Sequence, residues 1–349
     1  MLLNNFIRWR FRGLVWLLSR AIPVKKHGNI ERILALICGG LGDRLMSLPA
    51  LRYLKKEYPK AHLCVAWMEG SLPVVNNEFN EIHDFKEKEI FSKLKLSLNR
   101  WDAVYVNIQG VFSITAELCS VMSRAPLRIG PRIEKNRFKQ RVYTRPYAIS
   151  GKDHITIINC HSLFKESEQT ALPYKVMRAH STDNVFRKEP GKKYIGINAC
   201  MRRGHEYRRW PLVYFKGLIE KILQDDMEPI ILYSSFEEKE MKNFFGDLPV
   251  KHCLHNSLEQ LFDLICSCDV LVTSDTGPSH AAAAVETPVV VIAGPTDPCK
   301  TGPVIEKRRV VASNAHCSPC YYNNIECRDP FCLRDISVDT VYKAISELL

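Results

Sequence analysis

The chain has 349 residues, 46% apolar and 25% charged, the balance of an ordinary globular protein with roughly two domains of about 150 residues each. No uncharged apolar run approaches the ~20 residues of a spanning helix, and no low-complexity tract supports disorder as the main theme. Thirteen cysteines at scattered spacings do not form a secreted disulfide framework, so a reducing cytoplasm is expected. The net charge of +11 is concentrated: residues 1–32 carry +6, residues 124–145 carry +7, and the remainder sums to −2. Two basic patches suit phosphate-rich partners.

The first element is a basic amphipathic helix over residues 1–22. Leu3, Ile7, Phe11, Leu14, Leu18 and Ile22 form an apolar stripe, opposed by Asn5, Arg8, Arg12 and Ser19, with Trp9 and Trp16 beside it. That pattern suits a membrane interface, where arginines meet anionic headgroups. Packing on the protein's own body is the structural alternative; a cleaved signal lacks a small-residue processing site before Pro23.

Residues 33–37 (ILALI) read as a buried strand, followed by the turn Gly39-Gly40-Leu41-Gly42-Asp43 and a helix through Leu48, Leu51 and Leu54 that closes at Tyr58-Pro59. The dinucleotide fingerprint would need a glycine where Leu45 stands, and no Gly-Lys-Ser/Thr follows, so neither phosphate-loop motif applies. What remains is a tight turn delivering the Asp43 carboxylate to a strand end, where helix capping is the plain alternative. Residues 62–67 and 103–108 are further strands. Lys, Glu, Ser and Pro collect over 165–190, where a domain boundary is expected.

The second half repeats the scheme. Strands are expected at 194–198, 229–233, 270–273 and 288–293, with helices at 211–223, 237–245, 258–266 and 279–285. Such alternation implies parallel sheets covered by helices, here two Rossmann-like α/β domains facing across a cleft. Ligands in these folds bind at strand carboxyl ends against helix amino termini. The loop Ser274-Asp275-Thr276-Gly277-Pro278-Ser279-His280 fits that place: Gly277 permits close approach, and the helix start offers amides to an anion. Capping by Asp275 is the alternative. Arg202, Arg203, Arg208 and Arg209 follow the 194–198 strand, suited to phosphate or to a solvated charge run. Gly294-Pro295-Thr296-Asp297-Pro298 makes a further loop on the same edge. Cys317, Cys320, Cys327 and Cys332, spaced C-x2-C-x6-C-x4-C, could hold a structural zinc or iron, remain reduced packing residues, or pair as disulfides.

Taken together, ILALICGGLGDRLMSLPALRYLKKEYP, RRWP at 208–211, DVLVTSDTGPSHAAAAVETPVVVIAGPTDPCKTGP and CLRDISVDTVYKAI resemble the heptosyltransferases of glycosyltransferase family 9, over residues 32–349. The resemblance implies a GT-B fold: a basic segment 1–31, an acceptor domain 32–180, a nucleotide-sugar domain 181–335, and a helix 336–349 packing back toward the first domain. It implies an inverting transfer of heptose from ADP-heptose to a lipopolysaccharide-core acceptor, with Asp43 as general base. Arg208, where relatives often carry Lys, and Asp275, Thr276, Gly277, Pro278, Ser279 and His280 would bind the donor. Glu238 takes the ribose-binding place, with Glu237 an equally good register. Gly42, Arg128, Arg132, Arg137 and Arg141 would meet the anionic lipid-linked acceptor. No cofactor is implied for catalysis and no nucleic acid is expected; the basic segment 124–145, meeting an anionic acceptor, together with the amino-terminal helix suggests an enzyme at the cytoplasmic face of the inner membrane. A relative using another nucleotide sugar or a protein acceptor, and a silent nucleotide-sugar or nucleic-acid binder, are the alternatives.

Overall fold

A computed structural model of the chain describes residues 15, 17–19, 28–109, 113–132, 142–148, 153–160, 163, 173–176, 186, 188–202, 204–320, 327 and 330–349. The chain divides into two units, Met1–Leu172 and Pro173–Leu349.

The first unit is built on β1 (Arg32–Ile37), β2 (His62–Trp67), β3 (Glu81–Asp84), β4 (Ala103–Val106), β5 (Leu127–Arg132) and β6 (Arg145–Ala148). They pair in the order β3-β2-β1-β4-β5-β6, every pair parallel. The helices are α1 (Leu41–Glu57), α2 (Ile90–Ser97), α3 (Ile114–Met122) and α4 (Ile155–Cys160). β1 is apolar throughout because both its faces are covered, as a central parallel strand requires. Leu34, Leu36, Cys64, Ala66, Val104 and Val106 present one face to Trp101, Ala116 and Val121.

Val15 is buried in this same core, and Leu18 packs against it, while Leu17 is exposed. The described part of the amino-terminal segment therefore turns Val15 and Leu18 onto the protein's own body, which corrects the expected membrane-facing role of Leu18; the rest of 1–22 lies outside the described residues.

The second unit holds β7 (Tyr194–Asn198), β8 (Glu228–Ser234), β9 (Lys251–His255), β10 (Val270–Ser274), β11 (Val289–Ala293) and β12 (Arg308–Ala312). Their order, β12-β11-β10-β7-β8-β9, is again parallel throughout. Counted from its own first strand it is the order of the first sheet, 3-2-1-4-5-6, the dinucleotide-binding arrangement. The helices are α5 (Leu212–Gln224), α6 (Glu238–Phe245), α7 (Leu258–Cys266), α8 (Gly277–Ala284), α9 (Pro298–Thr301), α10 (Phe331–Arg334) and α11 (Val338–Ser346).

Two expectations about boundaries change. The second unit begins at Pro173 rather than 181, because the Val176 N–H donates to the Ala284 carbonyl at 2.8 Å and Tyr174 is buried against His280. Helix α11 belongs to the second unit rather than forming a segment of its own: Val341, Ala344 and Ile345 lie in that unit's core with Trp210, Phe215 and Ile219. Among the described residues, no helix is long and apolar enough to cross a membrane.

Candidate functional site

In each sheet the connections leaving the two central strands run to opposite sides, so a crevice opens beyond their carboxyl ends. In the first unit those strands are β1 and β4. The turn after β1 passes through Gly39 at φ +103°, where a Cβ would lie 2.5 Å from Asp43 Oδ2. Glycine alone lets the chain close over the carboxylate. Asn107, just past β4, clamps this turn: its Oδ1 accepts from the Cys38 N–H at 3.0 Å, and its Nδ2 donates to the Cys38 carbonyl at 2.9 Å and to Ser47 Oγ at 3.1 Å. Asn159 on α4 adds a second tie, accepting from the Ile108 N–H at 2.9 Å and donating to the Met46 carbonyl at 3.3 Å.

Asp43 stands in the first turn of α1, beside Gly42. Its Oδ2 accepts from the Gly40 N–H at 2.9 Å, and its Oδ1 accepts from Gln109 Nε2 at 2.8 Å. One oxygen thus caps the helix while the other meets a side-chain amide that can rotate away. Burial pushes the carboxyl up to about 6, against the pull of the Gly40 amide, Gln109 and Arg44 and with a push from Glu69. A carboxylate of that basicity is ionised at neutral pH yet far better at taking a proton than an ordinary aspartate. The Arg44 guanidinium is buried and spent on the Gly40 and Ser71 carbonyls.

The basic segment is placed differently from expectation. Arg128 is buried, its Nε donating to the Val142 carbonyl at 2.7 Å and its Nη1 to the Ala125 carbonyl at 3.1 Å. That guanidinium holds β5 to the following segment, which corrects its assignment to acceptor binding. Arg132 ends β5; its side chain, and Arg137 and Arg141 altogether, lie outside the described residues.

In the second unit the central strands are β7 and β10. Trp210 is fully buried, donating from its N–H to Ser274 Oγ at 3.3 Å and from Nε1 to the Ile336 carbonyl at 3.0 Å. This anchor carries the preceding turn to the end of β10, where Arg208 Nη2 donates to the Asp275 carbonyl at 2.5 Å. Arg209 turns away to a bidentate pair with Glu240 at 2.8 and 2.9 Å, Arg202 is exposed and Arg203 is outside the described residues. Of the four arginines expected to cluster, the structure brings Arg208 to this loop.

Asp275 is buried, and burial raises its pKa against the pull of Thr296 and the Arg208 charge; its Oδ2 accepts from Thr301 Oγ1 at 3.5 Å. Thr276 caps α8 in an extended conformation with no side-chain bond to the helix amides. Its hydroxyl donates to the Ser274 carbonyl at 3.1 Å, and the Ser279 hydroxyl to the Thr276 carbonyl at 2.7 Å. Gly277 and Pro278 form the first turn of α8, whose dipole favours an anion there. His280 Nδ1 lies 2.7 Å from the Tyr174 hydroxyl, which accepts from the Val304 N–H at 3.3 Å. The phenol thus ties His280 to the backbone at Val304. After β8, Glu237 accepts from the Ser234 N–H at 3.2 Å and from its hydroxyl, closing that turn. Glu238, half-buried on α6, pairs with Lys242 at 2.6 Å.

Gln109, Asn107 and Tyr174 escaped the sequence reading. Gln109 and Asn107 follow an expected strand, and a polar Asn-x-Gln at a strand end was the available signal. Tyr174 had none, because its partner is 106 residues away. Beside the turn after β11, where the Cys320 N–H donates to the Pro295 carbonyl at 2.9 Å, burial raises the Cys332 thiol to about 11, with Cys317, Cys320 and Cys327 near enough to add to the shift. Four such thiols in one region offer the donor chemistry of tetrahedral zinc or iron.

Two Rossmann sheets of one strand order, with a basic carboxylate at one crevice and an arginine-flanked helix start at the other, are the parts of a GT-B glycosyltransferase. The chain belongs to glycosyltransferase family 9 (heptosyltransferase), whose model matches residues 92–328. It is 24% identical over 319 residues to lipooligosaccharide heptosyltransferase 2 of Campylobacter jejuni, covering 88% of this chain and 95% of that one. Its fold is that of the Escherichia coli ADP-heptose lipopolysaccharide heptosyltransferase II, with a TM-score of 0.73 at 21% identity over 91% of this chain and 98% of the other. An E. coli heptosyltransferase solved with ADP superposes with a TM-score of 0.69 at 19% identity, over 91% and 100%.

Proposed function

We propose that this chain is an inverting glycosyltransferase that moves heptose from ADP-heptose onto a lipopolysaccharide-core acceptor, with Asp43 as general base. The observation that carries this is the Asp43 carboxylate, held at the β1–β4 crevice by two neutral donors and made basic by burial. An acceptor hydroxyl gives its proton to Asp43 as its oxygen bonds to the anomeric carbon. The bond from that carbon to the diphosphate oxygen breaks, and ADP leaves with the electron pair. Attack from the face opposite the leaving group inverts the centre. Arg208, the start of α8 and His280 meet the charge that grows on the diphosphate, and Glu238 binds the ribose. Nothing in this sequence of steps calls on a metal; one held by the four carboxy-terminal cysteines would be structural. The basic residues of 1–14 and 132–141 suit the phosphates of a lipid-linked saccharide at a membrane surface.

The ADP-heptose assignment draws on the names of the relatives, and calorimetric titration with ADP, GDP and UDP tests it. Preference for ADP is expected. Preference for UDP or GDP overturns the donor while keeping the enzyme class, and no binding of any of the three favours a silent scaffold. Radiolabelled transfer to a heptose-deficient core then tests the acceptor.

A further inference from the structure

We propose that Cys64, Glu81 and His83 form a structural site for a zinc-class divalent cation that clasps the edge strand β3 to β2. The parallel register sets Cys64 directly opposite Glu81 and Ala66 opposite His83. Side chains two apart on a strand share a face, so Cys64, Glu81 and His83 converge on one side of the sheet. The sulfur, a carboxylate oxygen and an imidazole nitrogen all lie within 4.8 Å of one another. Tetrahedral zinc donors at about 2.0–2.3 Å from the ion stand roughly 3.5 Å apart, so small side-chain rotations close the site.

The surroundings are those of a built ligand set. His62 Nε2 lies 2.8 Å from Glu81 Oε2 and His83 Nε2 lies 2.7 Å from Oε1. With the cation in place, Oε1 and His83 Nε2 turn to it, while His62 stays on Oε2 and orients the carboxylate, as second partners of metal ligands do. The His83 ring is stacked on Phe85 at 5.8 Å with planes 6° apart, which fixes its direction. Cys64 is fully buried at the floor, whereas Glu81 and His83 are about one-third exposed, leaving the top open to a water as fourth ligand. On binding, the thiol proton passes to solvent, and thiolate and carboxylate together balance the two positive charges.

The strand needs such a clasp. β3 has four residues, none of them buried, and pairs on one side only, so little apolar contact holds it.

Cobalt(II) and zinc are the probes. In a chain whose Cys317, Cys320, Cys327 and Cys332 are all replaced by Ser, one equivalent of cobalt is expected to bind with a near-ultraviolet thiolate-to-cobalt absorption. Cys64→Ser abolishes that absorption, and His83→Ala weakens binding by about tenfold or more. In the wild-type chain, zinc content measured by elemental analysis falls by one equivalent in Cys64→Ser and in His83→Ala, a comparison that does not depend on the folding of the quadruple variant. Absence of cobalt and zinc uptake at this site, or uptake unchanged by both single substitutions, overturns the proposal and leaves a hydrogen-bonded His-Glu-His ladder.

Discussion

Replacing Asp43 by Asn separates the cost of this carboxylate from its use. Its pKa stands at about 6 in the folded chain against the ordinary 3.8, because burial disfavours the charged form. A folded pKa raised above the unfolded one favours folding at acid pH, and that benefit is lost as pH rises from about 4 through about 6. At about 1.4 kcal/mol per pH unit, the ionised side chain costs the fold at most about 3 kcal/mol at pH 8, and partial solvent access brings this nearer 2 kcal/mol. Asparagine keeps an oxygen for the Gly40 N–H, and Gln109 can rotate its amide to accept from the new Nδ2. Urea unfolding should therefore find Asp43→Asn more stable than wild type by about 2 kcal/mol at pH 8, with the gain vanishing near pH 4. The same variant should lose about 10²–10⁴ in turnover with nucleotide affinity within a few-fold, and wild-type kcat/KM should rise through pH 6 to a plateau. A variant that is less stable at pH 8, or a gain that does not change with pH, refutes the account of why this carboxylate is basic; unchanged turnover refutes its role as base.

Other substitutions probe the scaffolding. Gly39→Ala places a Cβ 2.5 Å from Asp43 Oδ2 at φ +103°; a loss of about 2 kcal/mol or more in stability and a displaced pH profile are expected, read by unfolding and by kinetics. Trp210→Ala removes a fully buried indole and its bond to the Ile336 carbonyl, so thermal unfolding of the second unit should fall by an amount equivalent to about 3–5 kcal/mol. Tyr174→Phe deletes the hydroxyl between His280 and the Val304 N–H. A stability loss of about 1–2 kcal/mol is expected, with weaker nucleotide binding in calorimetry as the imidazole loses the partner that holds it in place.

Central strands were legible because burial on both faces writes a continuous apolar run, as in β1, β7, β10 and β11. The edge strands, and β5 beside one of them, were not. β6 reads Arg-Pro-Tyr-Ala and β9 reads Lys-His-Cys-Leu-His; a strand with one neighbour and a wet face carries no such run. β5 hides a glycine and a proline, and a Cβ at Gly130 would meet the Tyr143 ring at 2.2 Å, a constraint visible only once the strand is folded. The expected 103–108 strand stops at Val106; beyond it the Asn107 N–H keeps only a long 3.4 Å bond to the Leu36 carbonyl, while its side chain clamps Cys38. Basic residues were counted correctly, yet charge alone does not say where a guanidinium points: Arg128 and Arg209 are spent on neighbours, and among the described arginines of its run it is Arg208 that reaches the β10 loop.

Each unit places an aspartate after a central strand, and spacing gave both the same alternatives of capping or chemistry. Their surroundings part them. Both are pushed toward higher pKa by burial, but Asp43 is half-buried, with one oxygen on a rotatable amide, whereas Asp275 is 5% exposed and lies under its own loop against Thr301. A proton acceptor must present a lone pair to substrate, which Asp43 can do by releasing Gln109 and Asp275 cannot do without opening β10. Asp275 instead fixes the backbone whose carbonyl holds Arg208 beside the start of α8. In the proposed reaction one strand order serves two tasks, and what assigns them is whether the carboxylate after the central strand is left a route to solvent.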